Sequence, residues 1–226
     1  GKSSMTLKDE LTQQLAKFTQ ASSAQVIKAI ETGIDELIAD GIAQRAIKQG
    51  DQAPEFELPN ANGKAVALSS LLSAGPVVLT FYRGGWCPYC NLQLRAYQRI
   101  LPELAALGAQ IVAISPEPPD TSLTTAEKNA LEFEVLSDVT SKAARDYRLL
   151  YELSDELRDT YIGMGKDLSA LNADGGWHLP LPATYVIAQN GRVELANIDP
   201  EYRNRLEPAD ILAAVNALRV DVKQPG

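Results

Sequence analysis

Two cysteines are the whole thiol complement of the chain, and they stand close together in Trp86-Cys87-Pro88-Tyr89-Cys90. Upstream, Pro76-Val77-Val78-Leu79-Thr80-Phe81-Tyr82 is a short run rich in β-branched residues and reads as a buried strand. Gly84-Gly85 end it, and Leu92, Ala96, Ile100, Leu104 and Leu107 then recur at helical spacing. Cys87 therefore sits where a strand turns into a helix. Free N–H groups and the macrodipole at a helix start favour an anion. A thiolate is such an anion, and a cysteine in that position can fall from about 8.5 to roughly 3.5–7.5 in pKa. Cys87 is thereby expected to be a nucleophile at neutral pH. Cys90 falls in the same first turn, where i and i+3 side chains are neighbours. It is placed to attack an oxidised or mixed-disulfide form of Cys87 and release the product. Pro88 fits an early helical position, where its missing N–H costs nothing.

Three other uses of the pair compete. A structural disulfide is disfavoured, because loop closure stabilises least when the loop is short. Zinc normally takes four ligands, and beyond these two cysteines the chain offers one histidine, His178. A pair of inert buried thiols remains as the third. Around the pair, Arg83 is placed to stabilise a thiolate, against the alternative of a solvent-facing charge. Trp86 and Tyr82 are candidates to line a pocket or simply to fill the core, and Tyr89 to shape partner access. His178, in a glycine-rich stretch, reads as a surface residue more readily than as a proton carrier. Asp199, Tyr202 and Arg205 form a polar cluster with no chemical role assigned, the default being a loop ion-pair network.

The elements that must position these residues follow from patterning. With 226 residues, 45% of them apolar and 22% charged, the chain can hold one good-sized globular domain and an appendage. Lys+Arg of 21 against Asp+Glu of 29 leaves a charge of −8, which argues against nucleic acid and anionic membranes as partners. No apolar run approaches the ~20 residues of a membrane span. Lys8, Asp9 and Glu10 interrupt any export signal, so the expected compartment is cytoplasmic, where a vicinal cysteine pair is usually catalytic. Gly1 to Ser4 read as a cloning remnant ahead of a native Met5.

Residues 6–48 are expected to be helical, with Thr6/Asp9 and Ser22/Gln25 at capping-box spacing and Gly41 as a C-terminal cap. Leu7, Leu11, Leu15 and Phe18 form one stripe; Ile27, Ile30, Ile34, Leu37 and Ile38 form a second. These stripes must be buried on their own domain or, the preferred reading, in a homodimer contact. A hairpin follows around Asn62-Gly63, with Ser69–Leu72 as a connecting turn. After the active-site helix, interrupted at Pro102, come a strand at 109–114 and the loop Ser115-Pro116-Glu117-Pro118-Pro119. A helix at 124–131, a strand at 133–136, a helix at 140–147 and an irregular stretch over 152–176 precede paired strands at 184–188 and 193–198. A last helix opens at Glu207-Pro208. Alternating strands and helices, then a hairpin and a closing helix, make an α/β layered sheet.

Gly50-Asp51-Gln52-Ala53-Pro54-Glu55-Phe56, Phe81-Tyr82 with Trp86 to Cys90, and Leu181-Pro182-Ala183-Thr184-Tyr185-Val186-Ile187 with Asn190-Gly191-Arg192-Val193 together resemble the thioredoxin superfamily. Within it they resemble the peroxiredoxin-like branch (alkyl hydroperoxide reductase/thiol-specific antioxidant), over about three quarters of the chain, from Gly50 to about Leu218. The resemblance implies a thioredoxin-like three-layer fold with a central mixed sheet, residues 49–226, preceded by an N-terminal helical extension, residues 1–48. It implies a cis Leu181–Pro182 bond abutting the cysteines, with Pro182 exposing backbone groups to a substrate, and it places the 115–119 loop beside the site. Departures are local. Gly84 stands where peroxiredoxins carry threonine or serine, Pro182-Ala183 where they carry a later arginine, and Thr80 where thioredoxins bury a carboxylate.

The implied activity is thiol-dependent peroxide reduction: Cys87 becomes a sulfenic acid, Cys90 condenses with it, and a thioredoxin-type donor reduces the disulfide. The alternatives are a thiol–disulfide oxidoreductase using the same two cysteines, and a non-enzymatic redox-sensing module. Arg83, Trp86 and Pro182 are the candidate substrate contacts. Neither a cofactor nor a metal is implied.

Overall fold

The computed structural model describes residues 5–223, with side chains to 219; Gly1–Ser4 lie outside it. The Thr6 hydroxyl accepts from the Asp9 N–H (3.1 Å) while the Asp9 carboxylate accepts from the Thr6 N–H (3.2 Å), and this capping box starts α1 (Leu7–Ala21). Ser23, one residue later than expected, caps α2 (Ala24–Asp40) by accepting from the Val26 N–H. Gly41, at φ 77°, closes α2 in the left-handed conformation that glycine adopts without strain, and a short α3 (Ile42–Arg45) follows. The hairpin forms as β1 (Glu57–Pro59) against β2 (Ala65–Ala67). The expected turn at 69–72 is instead the two-turn helix α4 (Leu68–Ala74), which buries Leu68 and Leu72.

The next strand, β3 (Val77–Phe81), is the middle of the sheet. It is followed by α5 (Pro88–Arg99) and α6 (Leu101–Ala106), separated at Ile100 where Pro102 withholds its N–H. Then come β4 (Gln110–Ser115), α7 (Pro119–Lys128), β5 (Glu134–Ser137), α8 (Lys142–Asp146), β6 (Leu150–Glu152), α9 (Asp155–Gly163), α10 (Leu168–Leu171), β7 (His178–Pro180), β8 (Ala183–Ile187), β9 (Val193–Ile198) and α11 (Pro208–Lys223). The strand order is β5-β4-β3-β8-β9, with β3, β4 and β5 parallel and β8 and β9 antiparallel to their neighbours. β6 and β7 pair as a separate ribbon that patterning missed, each being too short to show a period.

All five residues of β3 are buried, and their alternation feeds two cores. Val77, Leu79 and Phe81 point into one, with Ile30, Ile34 and Leu37 of α2 and Tyr147 and Tyr161. Val78 and Tyr82 point into the other, with Leu7 and Leu11 of α1, Leu94 and Tyr97 of α5, and Ile211 of α11. The three-layer α/β arrangement around a mixed sheet is thus the expected one. The N-terminal helices straddle it: α1 lies against α5, α2 against α9. Leu7, Leu11, Ile30, Ile34 and Leu37 of the stripes are buried within the chain, Leu15, Phe18 and Ile27 are half-buried, and Ile38 is exposed.

One expectation is overturned. Every peptide bond among the described residues is trans, Leu181–Pro182 included. The Leu181 N–H donates to the Leu149 carbonyl (2.8 Å), and the chain passes in extended form from β7 into β8. A trans bond, favoured by about 0.5–1 kcal/mol before proline, continues such a path, whereas a cis bond serves a tight turn.

Ile34 is 3% exposed between α2 and the sheet. Ile34→Ala should therefore cost about 2–5 kcal/mol in urea unfolding. A loss near zero would mean that the N-terminal helices do not share the core.

Candidate active site

The site is built where β3 runs out. The Tyr82 N–H still donates to the Ile114 carbonyl (2.9 Å); then Arg83-Gly84-Gly85-Trp86 leave the sheet, and the Cys87 N–H turns back to the Gly84 carbonyl (3.1 Å). Cys87 is the N-cap of α5 with Pro88 in its first turn, as the spacing predicts. Gly84 has φ +157°, and a side chain there would overlap the Trp86 indole and the Glu117 carboxylate. That crowding accounts for glycine at this position. The loop is held at its polar groups: the Gly85 N–H donates to Glu117 Oε1 (2.7 Å), and the Gly85 carbonyl accepts from Asn91 Nδ2 (2.8 Å) and Lys128 Nζ (2.7 Å).

Both thiols are free and buried, Cys87 at 1% exposure and Cys90 at 0%. Burial alone opposes a thiolate at Cys87. It is outweighed by the hydrogen bond from the Cys90 thiol and by the nearby Arg83 and Arg205, which together hold Cys87 well below the ordinary thiol range. Cys90 moves the other way, raised first by burial and then because its proton is held by the Cys87 sulfur. The two environments thus push the thiols apart, favouring charge on Cys87 and the proton on Cys90.

Arg83 is 4% exposed, so its charge needs a partner inside the protein. Its Nη1 lies 3.9 Å from Cys87 Sγ and its Nη2 donates to the Tyr161 hydroxyl. The guanidinium stacks over Tyr202 (4.1 Å) and lies near Trp86 (5.0 Å) and Tyr161 (5.7 Å). From the far side, Arg205 Nη2 donates to Cys90 Sγ (3.3 Å). Glu117, on the loop after β4, is pushed up to about 7, chiefly by burial and in part against the pull of the Gly85 N–H. The Cys87 sulfur opens onto a cavity of about 60 Å³, walled by Phe18 of α1, Ile30 of α2, Trp86, Tyr161 and Arg83.

The candidates from the sequence divide accordingly. Cys87, Cys90, Arg83 and Trp86 come together. Pro182 lies at the same end of the sheet, since Ala183 pairs with Phe81, but it does not line the cavity. His178 is bound elsewhere, to Asp174 (2.7 Å) and Ser141 (3.2 Å). Instead of forming a loop ion-pair network, Arg205 reaches the Cys90 sulfur and Tyr202 stacks against the Arg83 guanidinium. The sequence points to Glu117 only through the loop that carries it, and nothing in local patterning singles out Tyr161, which meets Arg83 from α9. The signal for Tyr202 and Arg205 was topological. Phe81 pairs with Ala183 and Ala183 with Ile198, so the segment after β9 must emerge beside the segment after β3.

Comparison with known proteins agrees with this architecture. The AhpC/TSA family model matches residues 49–196. A putative peroxiredoxin of Mycobacterium tuberculosis is 33% identical over 120 residues, 51% of this chain and 78% of the relative. Peroxiredoxin Bcp of Escherichia coli K12 is 30% identical over 129 residues, covering 57% and 81%. Among solved structures, peroxidoxin BcpB from Mycobacterium tuberculosis superposes with a TM-score of 0.61 at 27% identity, over 76% of this chain and 97% of that one. Peroxiredoxin Q from Xanthomonas campestris (TM-score 0.58, 18% identity, 77% and 98% coverage) shares the fold.

The charge on Cys87 sets a pH dependence. Alkylation of Cys87 should stay fast as pH falls through about 8.5, where an ordinary thiol reprotonates, and be lost only below its depressed value. In Arg83→Gln the titration midpoint should rise by about one to three pH units. An unchanged midpoint would remove Arg83 from the electrostatics of the sulfur.

Proposed function

The chain belongs to the AhpC/TSA family, and on that premise we propose that it is a thiol-dependent peroxide reductase whose Cys87 attacks and whose Cys90 resolves. The Cys87 thiolate donates an electron pair to one oxygen of ROOH. The O–O bond breaks, the departing alkoxide takes a proton from solvent as ROH, and Cys87 becomes a sulfenic acid. The Cys90 sulfur then attacks the Cys87 sulfur, the S–O bond breaks, and the hydroxide leaves as water with the proton Cys90 gives up. A thioredoxin-type dithiol returns the disulfide to the reduced pair. Arg83, beside the attacking sulfur, stabilises charge developing on the peroxide oxygens, and Trp86 supplies an apolar wall.

The observation that carries this reading is a buried, charge-stabilised sulfur at the floor of a cavity of about 60 Å³. That space admits a peroxide with a small organic body. With Cys87 at 1% exposure, a protein disulfide meets its sulfur only after the wall moves. The competing reading, a thiol–disulfide oxidoreductase, rests on the Cys-Pro-Tyr-Cys spacing and requires the cavity wall to open before the first step. In the peroxidase reading the wall opens only afterwards, for the donor. Residues 49–226 then make up the catalytic domain, and residues 1–48 are an extension that walls its site through Phe18 and Ile30. The proposed compartment is the cytoplasm, where a vicinal pair of this kind is catalytic. No helix among the described residues is long and apolar enough to cross a membrane.

Peroxide turnover coupled to NADPH through thioredoxin reductase and thioredoxin should be measured beside insulin disulfide reduction. The wild type should consume peroxide, Cys87→Ser should not, and Cys90→Ser should yield a sulfenic adduct on Cys87 by mass spectrometry. Insulin reduction without peroxide consumption would reject the proposal in favour of its competitor. Phe18→Ala, which enlarges the cavity mouth, should raise the rate with cumene hydroperoxide relative to hydrogen peroxide by roughly tenfold. An unchanged ratio would mean that the N-terminal helix takes no part in substrate selection.

A further inference from the structure

Arg205 lies outside the region matched by the family model, yet its guanidinium is tied down on three sides. Nε donates to the Tyr202 carbonyl (2.6 Å), Nη1 to the Gln93 side-chain carbonyl, and Nη2 to Cys90 Sγ (3.3 Å). Gln93 is fixed in turn, its amide donating to the Tyr97 hydroxyl (3.0 Å) and to Thr184 Oγ1 (3.1 Å). The Tyr97 hydroxyl donates to the Leu206 carbonyl (2.8 Å), so the network returns to the residue next to Arg205. A side chain held this closely is aimed. Within its reach Cys87 is the anion and Cys90 the sulfur it touches, and among the described residues no salt bridge joins it to a carboxylate.

A partly buried cation without a carboxylate depends on those sulfurs for its counter-charge. In the reduced protein Cys87 supplies it, and Cys90 keeps its proton. When Cys87 becomes a neutral sulfenic acid, that negative charge is lost while Arg205 and Arg83 remain. Cys90 is then the group whose ionisation restores the balance. The titratable groups facing Cys90 are Cys87 and Arg83 from the loop and first turn of α5, Tyr82 from the end of β3, Arg205 from the segment after β9, and Lys166 from beyond α9.

We propose that Arg205 is a catalytic residue of the second half-reaction, holding the Cys90 sulfur as a thiolate once Cys87 has been oxidised. The step balances: Cys90 releases its proton to solvent, its electron pair forms the S–S bond, the Cys87 S–O bond breaks, and the departing hydroxide takes a proton from solvent as water. On this view the two arginines divide the work, Arg83 serving the attacking sulfur and Arg205 the resolving one. The division rests on the peroxidase reading for its first step, because only oxidation at Cys87 transfers the need for charge to Cys90.

Single-turnover mixing with hydrogen peroxide separates the steps. Sulfenic acid formation depends on peroxide concentration, disulfide closure does not, and acid-quenched samples trapped with dimedone distinguish them by mass. In Arg205→Gln, closure at neutral pH should slow by roughly tenfold or more, since each pH unit by which Cys90 rises removes about tenfold of its thiolate. Sulfenic acid should accumulate, because closure slows by more than its formation, to which Arg205 contributes through Cys87, and closure should recover as pH is raised, as for an ordinary thiol. Arg205→Lys, which keeps the charge, should restore closure toward the wild-type rate and pH profile, and it serves as the reporter if the glutamine variant does not fold. Unchanged closure in Arg205→Gln, an equal fall in both steps, or a folded lysine variant as slow as glutamine would overturn the proposal. Absence of any sulfenic acid in the wild type would reject the peroxidase reading instead. Arg205 is then tested on a glutathione mixed disulfide at Cys87, where Arg205→Gln must slow displacement by Cys90 equally for the assignment to stand.

Discussion

The structure depends on one buried negative charge. A thiolate removed from water is costly, and here that cost is offset by the hydrogen bond from the neighbouring Cys90 thiol, by the nearby Arg83 and Arg205, and by the Cys90 N–H. Each arginine in turn gains from the negative charge on the sulfur. Charge and counter-charge therefore require each other, and the aromatic rings of Trp86, Tyr161 and Tyr202 exclude the water that would otherwise screen them. The chemistry available to the site follows from this mutual dependence, because oxidation of one sulfur disturbs the balance for every other member.

The sheet makes the arrangement possible through its register. β3 ends at Phe81, opposite the start of β8 at Ala183, which faces the end of β9 at Ile198. Parallel β4 ends alongside β3 and delivers Glu117 to the same rim. Four segments far apart in sequence thus leave the sheet at one end. Arg83 and the cysteines come from the first, Glu117 from the second, Pro182 from the third, and Tyr202 and Arg205 from the fourth. The Gly84-Gly85 turn lets the first segment bend tightly under Glu117 and Trp86, where any side chain would collide.

The N-terminal helices contribute to both stability and chemistry. Because α1 joins one core and α2 the other, the pair wraps an edge of the layered structure, and the residues at their turn toward the site, Phe18 and Ile30, form a wall of the cavity. The segments outside residues 49–196 therefore supply that wall on one side and Arg205 on the other. The shared family fold presents the sulfurs, and the flanking segments shape what surrounds them.

Local sequence determined the elements whose signals are local. The capping box at Thr6, the Asn62-Gly63 hairpin, the interruption at Pro102 and the strand–glycine–helix setting of Cys87 each rest on interactions within a few residues, and each formed where it was read. So did the alternation of strands and helices that makes a layered α/β sheet. The trans geometry at Pro182, the covering of the N-terminal stripes by their own chain, and the arrival of Tyr202, Arg205 and Glu117 at the sulfurs were decided only by tertiary structure. Strand order and register bring these groups together, Glu117 from 32 residues beyond Gly85 and Arg205 from 115 beyond Cys90, and neither leaves a periodic mark in any one segment. Burial alone converts their nominal charges into the field that divides the two thiols.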